Sequence, residues 1–224
     1  MLYRSVFLLL WLVTFASEAI ALNTSKSDKN NSQTNFQGDA NAGKMKSEDN
    51  RCQECHGLEG NGQGPSNGGL GKFAKLAGQY PHYITKQLRD FRSGDRKHDL
   101  MLIMAKSIDE VDSADIAAYF SSQKTMQGDG TGKNPLGENL FVNGDASRNI
   151  LACSNCHGID GKGIASPGQT IPIIGGQERA YLQKQLRDWR NGERNNSLDG
   201  VMNTSLRQLT DKELRALVDY IAGL

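Results

Sequence analysis

The sequence lacks an excess of charge of either sign. Its 224 residues include 26 Lys and Arg against 25 Asp and Glu, which gives a formal net charge of +1. A nucleic-acid-binding domain normally carries a basic excess, so this balance gives no support to that class. The mean hydropathy of −0.55 also makes the chain too polar for a polytopic membrane protein.

Aromatic side chains are scarce too, at 7% of the residues, whereas glycine occurs 25 times. Side chains alone would therefore form a thin core for a chain long enough for two small domains. The sequence predicts that something besides side chains fills the interior. No cysteine is left over, because all four occur in two closely spaced pairs, Cys52 with Cys55 and Cys153 with Cys156.

The N-terminal residues 1–21 have the pattern of a secretory signal peptide. Arg4 supplies the positive charge, Val6–Phe15 is an apolar run, and Ala19-Ile20-Ala21 fits the small-x-small cleavage rule. An uncleaved membrane anchor is the alternative, but a spanning helix needs about 20 apolar residues and Glu18 interrupts this one. We therefore expect cleavage, export from the cytoplasm, and a polar, flexible leader over residues 22–37.

The rest of the chain is an internal repeat. The segment Cys52-Gln-Glu-Cys55-His56-Gly57 returns 101 positions later as Cys153-Ser-Asn-Cys156-His157-Gly158, and Lys86-Gln-Leu-Arg-Asp returns from Lys184. Self-similarity over this length indicates a duplicated unit. We predict one domain over residues 38–124 and another over residues 136–224, joined by a linker at 125–135 that is rich in turn-forming residues.

Apolar residues in both halves recur at helical spacing, which predicts helices with one buried face. The stripe in the first half consists of Tyr80, Tyr83, Ile84, Leu88 and Phe91. The stripe near the C-terminus consists of Leu214, Leu217, Val218 and Ile221. Thr210 and Glu213 stand ahead of the second stripe in the pattern of a capping box. No stretch alternates as a strand does, so the sequence predicts an all-α fold.

The pattern Cys-x-x-Cys-His is that of covalent c-type haem attachment. On one helical turn, two thiols reach the two vinyl groups of a porphyrin, and the next imidazole becomes the proximal iron ligand. We predict one haem on Cys52 and Cys55 with His56 as ligand. The second haem is predicted on Cys153 and Cys156 with His157 as ligand. Each haem would also fill the thin core of its domain.

Two other interpretations of the cysteines are weaker. Disulfide or redox pairs would need no histidine after the second cysteine, and here the histidine occurs twice. A four-cysteine zinc site would have to use pairs almost 100 residues apart, far beyond the usual spacing of zinc ligands.

The second axial ligand decides whether a haem transfers electrons or binds an external ligand. With both His and Met bound, the iron has no open position and its reduction potential is raised. Met202 is the sole methionine of the second half and lies 45 residues after His157. Met101 lies 45 residues after His56, and Met104 lies 48 after it. The spacing favours Met101, with Met104 as the alternative, because methionine is also a common filler of apolar cores.

Over residues 38–224 the chain resembles the di-haem cytochromes c of the cytochrome c4 family. Besides the two haem motifs, four segments carry the resemblance. They are Gly38–Lys44, Lys75–Gln79 with its partial copy Gly175–Gln177, Tyr83–Phe91 with its copy from Tyr181, and Asp115–Gln123. The resemblance implies two tandem class-I cytochrome c folds with His/Met-ligated haems. It also implies a periplasmic carrier, often membrane-associated, that donates electrons to terminal oxidases.

In that family a proline carbonyl accepts a hydrogen bond from the proximal imidazole. Pro172 retains this residue in the second half, whereas the first half has Ala74. A carbonyl remains at Ala74 to accept from His56, but without the proline ring the loop is expected to be less rigid. Arg96 and Arg194 occupy matched places in the repeat, where they would bind haem propionates or remain solvated at a helix end.

Taken together, the sequence predicts an electron carrier and no enzyme, with one electron exchanged per haem. The expected partners are redox proteins, a respiratory complex as donor and a terminal oxidase as acceptor, and no nucleic acid. The alternative is the haem subunit of a dehydrogenase, or a peroxidase-like enzyme in which one haem has lost its methionine.

Overall fold

The computed structural model of the chain describes residues 37–63, 72–166 and 169–224. The predicted signal peptide and residues 22–36 of the predicted leader lie outside the described residues. Within these ranges, no helix is both long and apolar enough to cross a membrane.

The described residues of each half form five α-helices in the same order. Those of the first half are α1 (Ala40–Asp49), α2 (Gln53–His56), α3 (Pro81–Ser93), α4 (Asp99–Lys106) and α5 (Glu110–Ser122). Those of the second half are α6 (Pro135–Val142), α7 (Ser154–His157), α8 (Arg179–Asn191), α9 (Val201–Leu206) and α10 (Asp211–Gly223). Two 3₁₀ turns, Ala146–Arg148 and Leu198–Gly200, also lie in the second half.

The predicted amphipathic helices are confirmed. Ile84, Leu88 and Phe91 are buried on α3, and the stripe beginning at Leu214 is buried on α10. The capping box is present at the start of α10, since the Thr210 hydroxyl accepts from the Glu213 N–H while the Glu213 carboxylate accepts from the Thr210 N–H.

In each half the first helix crosses the last at very short range, α1 on α5 and α6 on α10. A glycine makes this approach possible. A Cβ on Gly43 would lie 1.9 Å from the Asp115 carbonyl oxygen, and one on Gly137 would lie 2.0 Å from that of Ala216. No other residue type allows two backbones to come so close.

In the described part of the chain, each half has its own hydrophobic cluster. The first cluster consists of Ile84, Leu88, Phe91, Ala105, Ile108, Ile116, Ala117, Tyr119 and Phe120. The second consists of Leu140, Phe141, Ile150, Leu182, Leu186, Trp189, Leu206, Leu209, Leu214, Leu217, Val218, Ile221 and Ala222. The duplication seen in the sequence is therefore a duplication of folded units.

Among the described residues, the all-α prediction did not include a small antiparallel hairpin in the second half. Its strands are β1 (Ile164–Ser166) and β2 (Gln169–Ile171), with Ile164 paired to Ile171. At three residues each, the strands are too short to produce the alternation that reveals a strand in a sequence.

Candidate functional site

The two Cys-x-x-Cys-His motifs fold as single helical turns, α2 and α7. The His56 N–H donates to the Cys52 carbonyl oxygen at 3.0 Å, and the His157 N–H donates to that of Cys153 at 2.9 Å. This bond spans one turn, so it brings the first cysteine and the histidine of each motif to the same short helix.

Both histidine rings are anchored through Nδ1. The nitrogen lies 2.8 Å from the Ala74 carbonyl oxygen in His56 and 3.0 Å from the Pro172 carbonyl oxygen in His157. A carbonyl can only accept, so Nδ1 carries the proton and Nε2 keeps the lone pair with which an imidazole binds a metal. Burial lowers the pKa of both histidines below 6.5, which favours this neutral form.

Ala74 stands where the family has proline, and the first anchor is made there through the backbone carbonyl. The acceptor is a backbone carbonyl, which every residue provides. Hydrogen bonds hold the loop in both halves: the N–H groups of Leu76 and Ala77 donate to the Gly60 carbonyl. Those of Ile174 and Gly175 donate in the same way to Gly161.

All four cysteines are free thiols in the structure, so neither motif closes into a disulfide. The first cysteine of each motif, Cys52 or Cys153, packs against the core of its half, and burial raises the pKa of each thiol to about 11. The described residues contain no group of three or more His, Cys, Asp or Glu side chains placed to hold a metal ion. The donor set therefore fits a covalently attached haem better than a zinc site.

Methionines of the two halves occupy corresponding environments. Met101 on α4 and Met202 on α9 are both half-buried, and each packs against the core of its own half. The Met101 N–H donates to His98 Nδ1 and the Met202 N–H donates to Ser197 Oγ, each at a distance of 3.3 Å. Met104, one turn further along α4, is half-buried but is not among the side chains packed on the first core.

Arg96 is buried between the two halves, with 7% of its surface exposed. Its guanidinium lies 4.5 Å from the centre of the Phe91 ring in its own half. Across the boundary it donates to Tyr181 Oη at 3.0 Å and to Gln185 Oε1 at 2.7 Å.

Arg194 repeats this arrangement in the opposite direction. It lies 4.4 Å from the centre of the Trp189 ring and donates to Tyr83 Oη at 3.1 Å and Gln87 Oε1 at 3.0 Å. The interpretation of these arginines as solvated charges is therefore wrong, because a buried guanidinium needs acceptors and here finds them in the other half. The repeated glutamine of the Lys-Gln-Leu-Arg-Asp segment was the signal that sequence reasoning missed.

Comparison with known proteins supports the interpretation of the two halves as haem-binding domains. The cytochrome c family model matches residues 40–124 and again residues 136–224. A cytochrome c4 of Pseudomonas aeruginosa is 39% identical over 84% of this chain and 89% of its own length. A thiosulfate dehydrogenase electron acceptor of Stutzerimonas stutzeri is 32% identical over 84% and 83%, respectively.

A solved structure is similar as well. The reduced recombinant cytochrome c4 of Pseudomonas stutzeri superposes with a TM-score of 0.73 at 38% identity, covering 84% of this chain and all of the other. Two tandem cytochrome c domains imply two covalently bound haem c groups and electron transfer as the function. The chain belongs to the cytochrome c4 family.

Proposed function

We propose that this di-haem cytochrome is a periplasmic carrier that takes single electrons from a respiratory donor and passes them towards a terminal oxidase. One observation carries the proposal. Each half contains a histidine tied through Nδ1 to a backbone carbonyl, at 2.8 Å for His56 and 3.0 Å for His157. This arrangement holds an imidazole in the tautomer and orientation that ligation requires.

The chain's residues have distinct roles in this proposal. The sulfur atoms of Cys52, Cys55, Cys153 and Cys156 hold the two haems covalently. His56 and His157 are the proximal ligands. Met101 and Met202 would be the second ligands of the two irons, since each packs against the core of its own half. When bound, each haem supplies an iron that accepts and releases one electron.

Closure of both irons by methionine favours a carrier over an enzyme, since a peroxidase-like site needs an open position. The test is spectroscopic. The oxidised protein should show a methionine-to-iron charge-transfer band at the red edge of the visible spectrum with the intensity of two sites. The intact mature chain should also be heavier than the apoprotein by two haems. A band of half intensity, or the mass of a single haem, would contradict the proposal.

Periplasmic location and peripheral membrane association are part of the same proposal. The predicted cleavage after residue 21 supports export. Cell fractionation with N-terminal sequencing of the mature protein tests both. Recovery of the full-length chain in the cytoplasm would overturn the localisation.

One specific observation favours an alternative electron donor: the chain is similar to thiosulfate dehydrogenase electron acceptors. On this alternative the electrons come from a sulfur-oxidising dehydrogenase. Rapid mixing of the oxidised protein with a thiosulfate dehydrogenase and thiosulfate should then reduce both haems. Mixing with a quinol-oxidising complex and quinol provides the matched comparison, and the faster of the two reactions identifies the donor class.

A further inference from the structure

Two buried glutamines, Gln79 and Gln177, each reach from their own half into the loop that anchors the histidine of the other half. Only 4% and 6% of their surfaces are exposed. Gln177 Oε1 accepts from the Lys75 N–H at 2.6 Å, and its Nε2 donates to the Lys75 carbonyl at 2.9 Å. Gln79 Oε1 accepts from the Ile173 N–H at 3.0 Å, and its Nε2 donates to the Ile173 carbonyl at 2.8 Å.

The peptide groups involved are those that anchor the histidines. The Lys75 N–H and the Ala74 carbonyl belong to one peptide group, and that carbonyl is the acceptor for His56 Nδ1. The Ile173 N–H shares a peptide group with the Pro172 carbonyl, the acceptor for His157 Nδ1. Each chain of bonds therefore runs from a glutamine oxygen, through one peptide group, to a histidine of the other half.

We propose that Gln79 and Gln177 are positioning residues that set the reduction potential across the domain boundary, Gln177 for the haem ligated by His56 and Gln79 for the haem ligated by His157. The inference rests on the proposed ligation by these two histidines. It gives Gln79 and Gln177 a role in the redox chemistry as well as in joining the halves.

The direction of the effect follows from hydrogen-bond cooperativity. An acceptor on the N–H side of a peptide group polarises it and makes the carbonyl oxygen a stronger acceptor, by about 10–30% per bond. A stronger acceptor draws the Nδ1 proton further and makes the imidazole more electron-donating. Electron donation stabilises the ferric state, so each glutamine lowers the potential of the haem in the other half.

A purely structural role predicts a different pattern. If the glutamines only joined the halves, their loss would disturb both haems or neither. Under the proposal, the loss of Gln177 from the second half affects the haem of the first half, and the loss of Gln79 affects the haem of the second half.

The experiment uses the holoprotein with Gln177→Met and Gln79→Met, which keep a side chain of similar length and remove the amide. Tyr80→Phe is the matched control, since Tyr80 follows Gln79 directly and its hydroxyl donates to the Lys162 carbonyl of the other half at 2.9 Å. This control removes a bond between the halves without touching either anchoring peptide group.

The readout is a redox titration followed by NMR, in which the amide signals of Gly57 and Gly158 report on the first and second haem. In Gln177→Met, the equilibrium constant for reduction of the first haem should rise roughly three- to tenfold, where tenfold corresponds to about 59 mV. The second haem should keep its potential. In Gln79→Met the pattern should be reversed, and Tyr80→Phe should change neither haem.

A second signature is independent of the potentials. In the reduced, diamagnetic protein, the Nδ1 proton of His56 should move upfield in Gln177→Met, and that of His157 should move upfield in Gln79→Met. Unchanged potentials with intact methionine bands would overturn this inference and leave the proposed ligation in place. Shifts of equal size at both haems would also overturn it. Absence of the methionine bands before any substitution would instead count against the proposed function.

Discussion

The loops that anchor the two histidines differ in sequence but agree in geometry. One has Ala74 and the other Pro172 at the residue whose carbonyl accepts from the imidazole, yet the two distances differ by only 0.2 Å. Both loops are held by paired N–H groups on a glycine carbonyl and by a glutamine from the other half. In the first loop, therefore, hydrogen bonds place the acceptor without a proline ring.

The segments that carry the methionines differ more. In the first half, α4 runs unbroken from Asp99 to Lys106. In the second half, the 3₁₀ turn Leu198–Gly200 precedes the shorter α9, and Asp199 within that turn has a φ of +50°. The halves thus position corresponding methionines on helices that begin differently, and substitution is the way to test whether they are equivalent.

Among the substitutions that test this comparison, loss of a methionine ligand should have the largest effect on the spectrum and the reduction potentials. Met101→Ala should halve the charge-transfer band and lower one potential by on the order of 100 mV, because a thioether favours ferrous iron and axial ligands span roughly 0.8 V. Met202→Ala should do the same to the other haem. Visible spectra and redox titration measure both effects.

Met104→Ala is the control for the register of the first half. It should leave the band and both potentials nearly unchanged, since Met104 is not packed on the first core. A band halved in Met104→Ala and unchanged in Met101→Ala would show that the repeat must be aligned through the Lys-Gln-Leu-Arg-Asp segment.

The last helix of each half, α5 or α10, also forms different ion pairs. Lys46 lies 2.7 Å from Asp112 and 2.5 Å from Asp115 of α5, whereas Arg148 lies 2.5 Å from Glu213 of α10. Glu213 is buried and also completes the capping box of its helix, in which Thr210 is the N-cap. On the last helix, the second half therefore uses one buried carboxylate, whereas the first half uses two; the other partner of Arg148, Asp145, lies outside α10.

This difference predicts that the stability of the protein depends on pH through Glu213, an effect smaller than that of the methionine variants. The hydrogen bond from Arg148 holds the pKa of Glu213 at about 2, below its ordinary 4.5. A depressed carboxyl pKa contributes stability that is complete above pH 4.5 and is lost as the pH falls towards 2. Glu213→Gln should therefore be less stable than the unmodified protein at neutral pH and should lose less stability over that acid range. Urea unfolding at a series of pH values, followed by circular dichroism, measures this.

Asp115→Asn is the matched change in the first half. Its hydrogen bond from Lys46 also holds the pKa of Asp115 below its ordinary 3.8, so this variant should flatten the acid dependence in the same direction. Equal slopes for Glu213→Gln and the unmodified protein would show that the pair with Arg148 contributes nothing to acid stability.

Residue patterns predicted the duplication, the amphipathic helices and the family, because these depend on spacing along the chain. The hairpin formed by Ile164 and its partners escaped prediction because three-residue strands carry no periodic signal. The contacts of Arg96, Arg194 and the two glutamines escaped because they join residues about 85 to 111 positions apart. Such pairings depend on how one half packs on the other, and that packing leaves no local pattern.

The smallest expected effect tests whether the two anchoring loops are interchangeable. Ala74 has a negative φ and, among the described residues, its N–H donates no hydrogen bond, so a proline ring removes no contact there. Ala74→Pro should therefore raise the free energy of unfolding by about 0.4–1 kcal/mol, because the unfolded chain loses conformational freedom. The potential of the first haem should stay unchanged, since the acceptor remains a carbonyl polarised through the Lys75 N–H. Urea unfolding and redox titration of the same sample give both quantities. A fall in stability, or a shifted potential, would mean that the proline ring itself shapes the loop of the second half and that the two loops are held by different means.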